Sequence, residues 1–320
     1  MTTDPELERA VRILRAGGLV AFPTETVYGL GGDAENPAAV QRIFQVKGRP
    51  TSHPLIVHVG DPLALSAFAR EVPGSAARLS RAFWPGPLTL VVRKGPRVSP
   101  LVTGGRDTVA VRVPQHPVAL ALLRTFGGAV AAPSANRFGC VSPTTAAHVQ
   151  ADLGSDVDCV LDGGAANVGV ESTIVDVSGE HARVLRLGGV SIEAIERTLD
   201  GPVTVELDGS DAPGQLPSHY APRARVTIVN AAELLTNAEH LRTRGERVAA
   251  LVPAGVPSAG LDVEVVPSEP EGYARALYAA LRRLDQRNAD VILVVPPDER
   301  GIGRAVVDRL RRAAAPRNQS

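Results

Sequence analysis

The chain has 320 residues, 44% of them hydrophobic and 21% charged, with a formal net charge of +0 at neutral pH. That balance excludes the basic footprint of a dedicated nucleic-acid binder, and no DNA partner is expected. The length sets an expectation of about two domains. The two cysteines, Cys140 and Cys159, form neither a CxxC pair nor a zinc-ligand pattern, which fits a reducing compartment. No apolar run approaches the roughly 18–20 residues of a membrane span. The acids at the start of the chain do not suit a signal peptide. A cytoplasmic protein with no membrane partner is therefore expected.

The first element reads as a helix: Asp4 caps it, Pro5 suits its first position, Ala10, Val11 and Leu14 make its face, and Gly17-Gly18 ends it. A strand over 19–22 follows, then a polar turn from Pro23. Helices are expected over 38–46, 62–68, 75–83 and 117–126, with strands over 55–59, 88–92, 109–113 and 129–132. A helix from Pro143, strands near 159–161, 174–177 and 184–187, and a helix from Ile192 close the set. Some strands follow one another without a helix between them, so the α/β pattern predicts a mixed sheet. From Gly201 to about Arg223 the chain is rich in Pro, Gly, Asp and Ser and reads as a linker. Beyond it, strands over 226–229, 248–252, 263–266 and 291–295 interleave with helices near 231–244, 271–287 and 302–314. That pattern predicts a smaller, doubly wound Rossmann-like domain. The expected organisation is a larger α/β domain over 1–200, a linker over 201–223 and a small α/β domain over 224–320.

Several residues could carry chemistry. Lysine occurs only at 47 and 94, and Lys47-Gly48-Arg49-Pro50 places an ammonium beside a guanidinium just past a helix, a pairing suited to oxyanions. No Walker A loop is present, and Gly29-Leu30-Gly31-Gly32 is only a fragment of a dinucleotide fingerprint. In 108–113, alternation turns the valines one way and Thr108, Ala110 and Arg112 the other. Arg112 then needs either a structural salt bridge or an anionic ligand. The same alternation turns His58 away from the face of Leu55 and Val59, where a structural histidine is the commoner outcome. Ser134 and Asn136 follow a strand through Pro133 and suit either a ligand or plain turn chemistry. Ser142 before Pro143 reads foremost as a helix N-cap, and Glu171-Ser172-Thr173 as a loop cap. Arg186, between two leucines, repeats the problem of Arg112. In the second domain, Arg309, Arg311 and Arg312 read as a solvated end face.

Together these stretches resemble a known family. Residues 18–31, from Gly18-Leu19-Val20-Ala21-Phe22-Pro23-Thr24-Glu25-Thr26 to Gly31, resemble the signature of the YrdC-like domain. Lys47-Gly48-Arg49-Pro50, His53-Pro54-Leu55, Trp84-Pro85-Gly86-Pro87-Leu88-Thr89 and Pro133-Ser134-Ala135-Asn136 support it. So do Ser142-Pro143-Thr144, Glu171-Ser172-Thr173-Ile174 and Leu185-Arg186-Leu187-Gly188. The match spans roughly residues 5–200. With His219-Tyr220-Ala221-Pro222 and a small α/β domain after it, the chain is similar to the long form of the L-threonylcarbamoyladenylate synthases. The implied fold is a YrdC-like twisted mixed sheet with helices.

The resemblance implies that L-threonine, bicarbonate and ATP give threonylcarbamoyl-AMP and pyrophosphate. A separate transferase complex then modifies an adenosine beside the tRNA anticodon. It further implies that Thr26, His58, Arg112 and Ser172 hold L-threonine. Lys47, Arg49, His53, Thr108, Ser134, Asn136, Ser142 and Arg186 are implied to line the ATP site, with Lys47 and Arg49 catalytic and Tyr220 folding over the ligands. Mg²⁺ is expected to arrive with ATP rather than in a protein cage, aiding the fixed cations where charge builds on the phosphates. One departure is Ala212-Pro213-Gly214-Gln215-Leu216-Pro217-Ser218, which lacks the basic residues that usually precede the His-Tyr pair. Two alternatives compete: a relative that uses carbamoyl phosphate, and a non-catalytic RNA- or ribosome-associated protein. The short second domain and two cysteines oppose the former, and the neutral balance opposes the latter.

Overall fold

The computed structural model describes residues 4–207, 212–213 and 219–316. Packing divides the chain into two compact units. One comprises Met1–Phe138, Ser142–Asn167 and Glu171–Gln215; the other comprises Gly139–Val141, Val168–Val170 and Leu216–Ser320.

The first unit opens with helix α1 (Pro5–Arg15), where the Asp4 carboxylate accepts from the Glu6 amide and Ala10, Val11 and Leu14 are buried. Then come β1 (Val20–Phe22), β2 (Gly29–Asp33), α2 (Pro37–Lys47), β3 (Ile56–His58), α3 (Leu65–Phe68), α4 (Gly74–Phe83) and β4 (Leu88–Arg93). They are followed by α5 (Pro100–Thr103), β5 (Thr108–Arg112), α6 (Pro117–Phe126), β6 (Val130–Ala131), α7 (Ala146–Leu153) and β7 (Cys159–Val160). β8 (Thr173–Asp176), β9 (Arg183–Arg186), α8 (Ile192–Leu199) and β10 (Thr204–Val205) complete it. Among the described residues the strands form a ten-stranded sheet, ordered β10-β9-β8-β4-β5-β3-β6-β2-β1-β7. Parallel pairs such as β3–β5 and β4–β8 alternate with antiparallel ones such as β4–β5 and β8–β9, giving the expected mixed α/β sheet.

One local difference from the sequence expectation has a clear cause. The helix expected from Pro143 begins at Ala146, capped by the Thr145 hydroxyl, so Ser142 is not its N-cap. The stretch Gly29-Leu30-Gly31-Gly32, only a fragment of a dinucleotide fingerprint, is a strand between β1 and β6. Its glycines are steric: a Cβ on Gly31 would lie 2.6 Å from Val130 Cγ1 and 2.7 Å from the Phe22 ring.

The core of this unit sits on one sheet face, where Leu55, Val57 and Val59 of the β3 region meet Val109, Val111 and Val113 of the β5 region. Strict alternation then turns Ile56, His58, Ala110 and Arg112 to the opposite face.

The second unit contains β11 (Arg225–Ile228), α9 (Leu234–Thr243), β12 (Val248–Pro253), β13 (Asp262–Val266), α10 (Pro270–Gln286), β14 (Val291–Val294) and α11 (Gly303–Ala314). The strands form a parallel sheet ordered β11-β14-β12-β13. Val248, Ala250, Val252, Val291 and Leu293 pack with Leu234 and Ala238 of α9. Alternate residues point to the other face, where α10 and α11 pack. Arg309 and Arg312 correct an expectation. They are 1% and 7% exposed rather than solvated, and both bond Asp308; Arg311 alone of the three is exposed, paired with Glu299.

Candidate active site

The site is built on the sheet face opposite the main core. Its floor is apolar: Ile56, Val91, Ala110, Ile174 and Leu185, one from each of β3, β4, β5, β8 and β9, cluster with Ala212 of the linker. Polar and charged side chains ring this floor.

On one side, β3 and β5 run parallel with His58 opposite Arg112. Both are buried, at 3% and 4% exposure. The Arg112 Nη2 donates to Glu25 Oε1 at 2.7 Å and its Nε to the Gly86 carbonyl at 3.3 Å. Glu25 is fixed in turn by the Gln115 amide, 3.0 Å from Oε2. Arg112 therefore has an internal counter-ion, and only part of its donor fork is used. His58 lies edge-on to Phe22, with Nδ1 3.3 Å from the Ile56 carbonyl. Burial, reinforced by the Arg112 charge, lowers its pKa to about 3. It is therefore a neutral imidazole at physiological pH. Thr26 is wholly buried, its hydroxyl 2.8 Å from that of Thr24.

Next to these, β8 and β9 bring Ser172 and Arg186 together. Arg186 donates through Nη2 to Ser172 Oγ, through Nε to the Ser172 carbonyl and through Nη1 to the Pro213 carbonyl, each at 3.0 Å. Thr89 of β4 shares a 2.8 Å hydrogen bond with Ser172. The linker residues Ala212 and Pro213 are thereby seated on the site face. Gly214, Gln215, Leu216, Pro217 and Ser218 lie outside the described residues.

A third group surrounds the end of α2. Gly48 adopts a left-handed conformation that turns the chain out of the helix. Lys47, 3% exposed, points its ammonium at the Ser134 carbonyl (2.6 Å), the Asn136 carbonyl (2.5 Å) and Asn136 Oδ1 (3.3 Å). Ser134 Oγ donates to Asn136 Oδ1 at 2.6 Å. The lysine thus fixes the Ser134–Asn136 turn and leaves a cation beneath it. Arg49 reaches the Pro54 carbonyl at 3.0 Å, its guanidinium 5.5 Å from the Phe138 ring centroid. His53 meets the same ring edge-on, and burial and the Arg49 charge lower its pKa.

Ser142 is fully buried and donates to Glu171 Oε1 at 2.7 Å. This bond joins the turn after Asn136 to the loop before Ser172. Thr108 begins β5 opposite Arg93, and Tyr220 belongs to the second unit. The sequence reading gave no role to Glu25, and placed Glu171 only in a loop cap. The signal for Glu25 was a carboxylate set between Thr24 and Thr26 in a chain whose strand arginine, Arg112, needed an anion, although 87 positions separate them. Among the described residues no three His, Cys, Asp or Glu side chains gather as a metal would require. The rim has more cations (Lys47, Arg49, Arg112, Arg186) than carboxylates, and its two histidines are held toward the neutral form. Such a surface suits anionic and zwitterionic ligands.

Comparisons with known proteins agree with this chemistry. A family model described as "Telomere recombination" matches residues 12–188, and one described as "Threonylcarbamoyl-AMP synthase, C-terminal domain" matches 190–315. The threonylcarbamoyl-AMP synthase of Pyrococcus abyssi is 42% identical over 95% of this chain and 93% of its own length. That of Bacillus subtilis is 41% identical over 99% and 95%. The crystal structure of P. abyssi Sua5 complexed with L-threonine superposes with a TM-score of 0.92 at 40% identity, covering 96% of this chain and 94% of that one. Fold and site together define a YrdC-like enzyme with an adjoining small α/β domain. The chain belongs to the threonylcarbamoyl-AMP synthase family.

Proposed function

We propose that this chain condenses L-threonine, bicarbonate and ATP into threonylcarbamoyl-AMP and pyrophosphate, with loss of water. The product would serve a separate transferase that modifies an adenosine beside the tRNA anticodon. The observation that carries the reading is the buried set of Arg112, neutral His58 and Ser172 around one apolar floor. It matches a zwitterionic amino acid with a small side chain.

In this proposal Arg112 turns its remaining donors to the threonine carboxylate while Glu25 keeps the guanidinium oriented. His58, neutral and with Nδ1 3.3 Å from the Ile56 carbonyl, would face the ligand as an uncharged imidazole. Thr26 and Ser172 present hydroxyls. ATP would lie toward Lys47, Arg49, His53, Ser134, Asn136, Ser142 and Arg186, with Thr108 at the far end of β5. Tyr220 is assigned to the nucleotide from its His-Tyr-Ala-Pro motif. The threonine amine adds carbon dioxide derived from bicarbonate, and a carbamate oxygen attacks the α-phosphorus. Pyrophosphate then leaves toward the fixed cations, which stabilise the charge developing on it. Mg²⁺ carried by ATP would add Lewis-acid stabilisation, and Ser142 and Glu171 are the hard oxygen donors suited to it. No covalent enzyme nucleophile is required. Ala212 and Pro213, seated on the floor, are placed to help exclude water from the short-lived carbamate.

The test is pyrophosphate release from ATP and bicarbonate with and without L-threonine. Threonine-dependent release is expected. Release that instead requires carbamoyl phosphate, or no release at all, would overturn the proposal.

A further inference from the structure

Three stretches that carry or adjoin proposed site residues pack in the second unit. Gly139–Val141 lies between Asn136 and Ser142, Val168–Val170 leads directly into Glu171 and Ser172, and Tyr220 is the third. All three meet one helix. α10 presents Ala274, Tyr278 and Arg282 at four-residue intervals, so they follow one side of it.

Gly169, at φ +83°, lies on the first position. A Cβ there would sit 2.4 Å from the Ala274 carbonyl oxygen and 2.4 Å from the Arg275 Cα. The approach is backbone to backbone and only glycine permits it. Tyr278 stacks on Tyr220 with centroids 5.9 Å apart and planes 22° from parallel. Arg282 donates through Nη2 to the Val141 carbonyl. The Ala221 amide donates to the Gly139 carbonyl at 3.0 Å, so the residue after Tyr220 holds the other end of that segment. Tyr220 has a φ of +60°, a conformation that costs free energy unless its surroundings hold it. They do: the Arg309 guanidinium lies 4.9 Å from its ring centroid and His219 packs edge-on at 4.1 Å.

We propose that α10 is a template that fixes the spacing of the three segments. Arg282, Tyr278 and Gly169 are then positioning residues for the reaction. Arg282 acts through Val141 on Ser142 and Asn136, Gly169 acts through Val170 on Glu171 and Ser172, and Tyr278 acts on Tyr220. Binding groups displaced by about 1 Å lose much of their effect, and loops held at their ends lose less freedom when a ligand binds. The inference rests on the site assignment proposed above.

The experiment uses the full chain and two readouts: amide hydrogen exchange, and initial rates of pyrophosphate release against ATP and against L-threonine. For Arg282→Ala we expect faster exchange confined to peptides covering 138–145 and a KM for ATP raised about tenfold, the scale of losing the charged hydrogen bond to Val141. The kcat should stay within about threefold, since the reacting groups are untouched, and Arg282→Lys should recover most of the loss. Gly169→Ala should loosen peptides covering 167–175 and raise the KM for threonine instead. Should Gly169→Ala fail to fold, Arg282→Ala still decides the question. Unchanged exchange and KM in Arg282→Ala would overturn the template. So would exchange accelerated throughout the second unit with KM unchanged, which is the mark of a merely structural role. If the unmodified chain releases no threonine-dependent pyrophosphate, the site assignment fails, while the exchange pattern still decides whether α10 fixes the segments.

Discussion

The two sheets use similar strands for different ends. In the four-stranded sheet both faces are apolar. Ala249, Ala250, Leu251 and Val252 of β12 and Val291, Ile292, Leu293 and Val294 of β14 are all 2% exposed or less. Among the described residues, its strands bury no charged side chain. In the ten-stranded sheet one face is apolar, but the other buries His58, Thr89, Arg112 and Arg186. Taking a cation out of water costs several kcal/mol unless good partners compensate. Here each buried arginine has them: Glu25 and the Gly86 carbonyl for Arg112, Ser172 and the Pro213 carbonyl for Arg186. The contrast teaches that one sheet is a scaffold, while the other spends stability on a preorganised polar surface.

Four tests can break or sharpen that contrast. The largest effect is expected at the end of α2. On the proposed nucleotide assignment, Lys47→Ala and Arg49→Ala should each reduce ATP-to-pyrophosphate turnover about a thousandfold or more, the loss of a fixed cation beside the phosphates. Circular dichroism should still report a folded chain. Turnover near normal in either variant would remove that residue from the site.

Arg112→Met should raise the KM for threonine about a hundredfold. It should also lower stability by about 3–5 kcal/mol, because Glu25 would be left buried and unpaired. Adding Glu25→Gln should restore much of the stability in denaturant titrations without restoring threonine binding. If both properties return together, Arg112 serves only as a structural partner.

The scaffold sheet should respond in the opposite way. Leu293→Ala removes a wholly buried side chain and should cost about 2–5 kcal/mol. Both KM values should be unchanged well below the melting transition. A large KM change there would contradict the division of labour.

The smallest effect is a pH dependence. The folded pKa of His58 is depressed to about 3, so the unfolded chain binds the extra proton first as pH falls. Its contribution to stability is complete above the unfolded value and is lost progressively as pH falls from about 6.5 toward 3. Between pH 6.5 and 5 this amounts to about 2 kcal/mol at most. His58→Gln should flatten the fall in melting temperature across that window; an identical slope would show that His58 is not held neutral.

Most elements were legible because their signals were local. The Asp4 cap, the alternation around Arg112 and the spacing of strands after Arg225 each act within a few residues. The β2 strand was not, because its glycines answer to the Phe22 ring of the neighbouring strand and to Val130, far along the chain. Among site residues, Lys47, Ser134 and Asn136, each singled out by its motif, bond one another. Ser142 did not reveal its partner, since Glu171 lies 29 positions away. The same limit hid Arg309, whose burial depends on Asp308 and on Tyr220, far back along the chain.

The central claim is that the polar face joins threonine, carbon dioxide and ATP. The most direct measurement is the fate of isotopically labelled bicarbonate incubated with the full chain, ATP and L-threonine. The account predicts label in a nucleotide product that forms only when threonine is present, with one pyrophosphate released for each labelled molecule. Pyrophosphate release without label in the nucleotide, or labelling that ignores threonine, would contradict it.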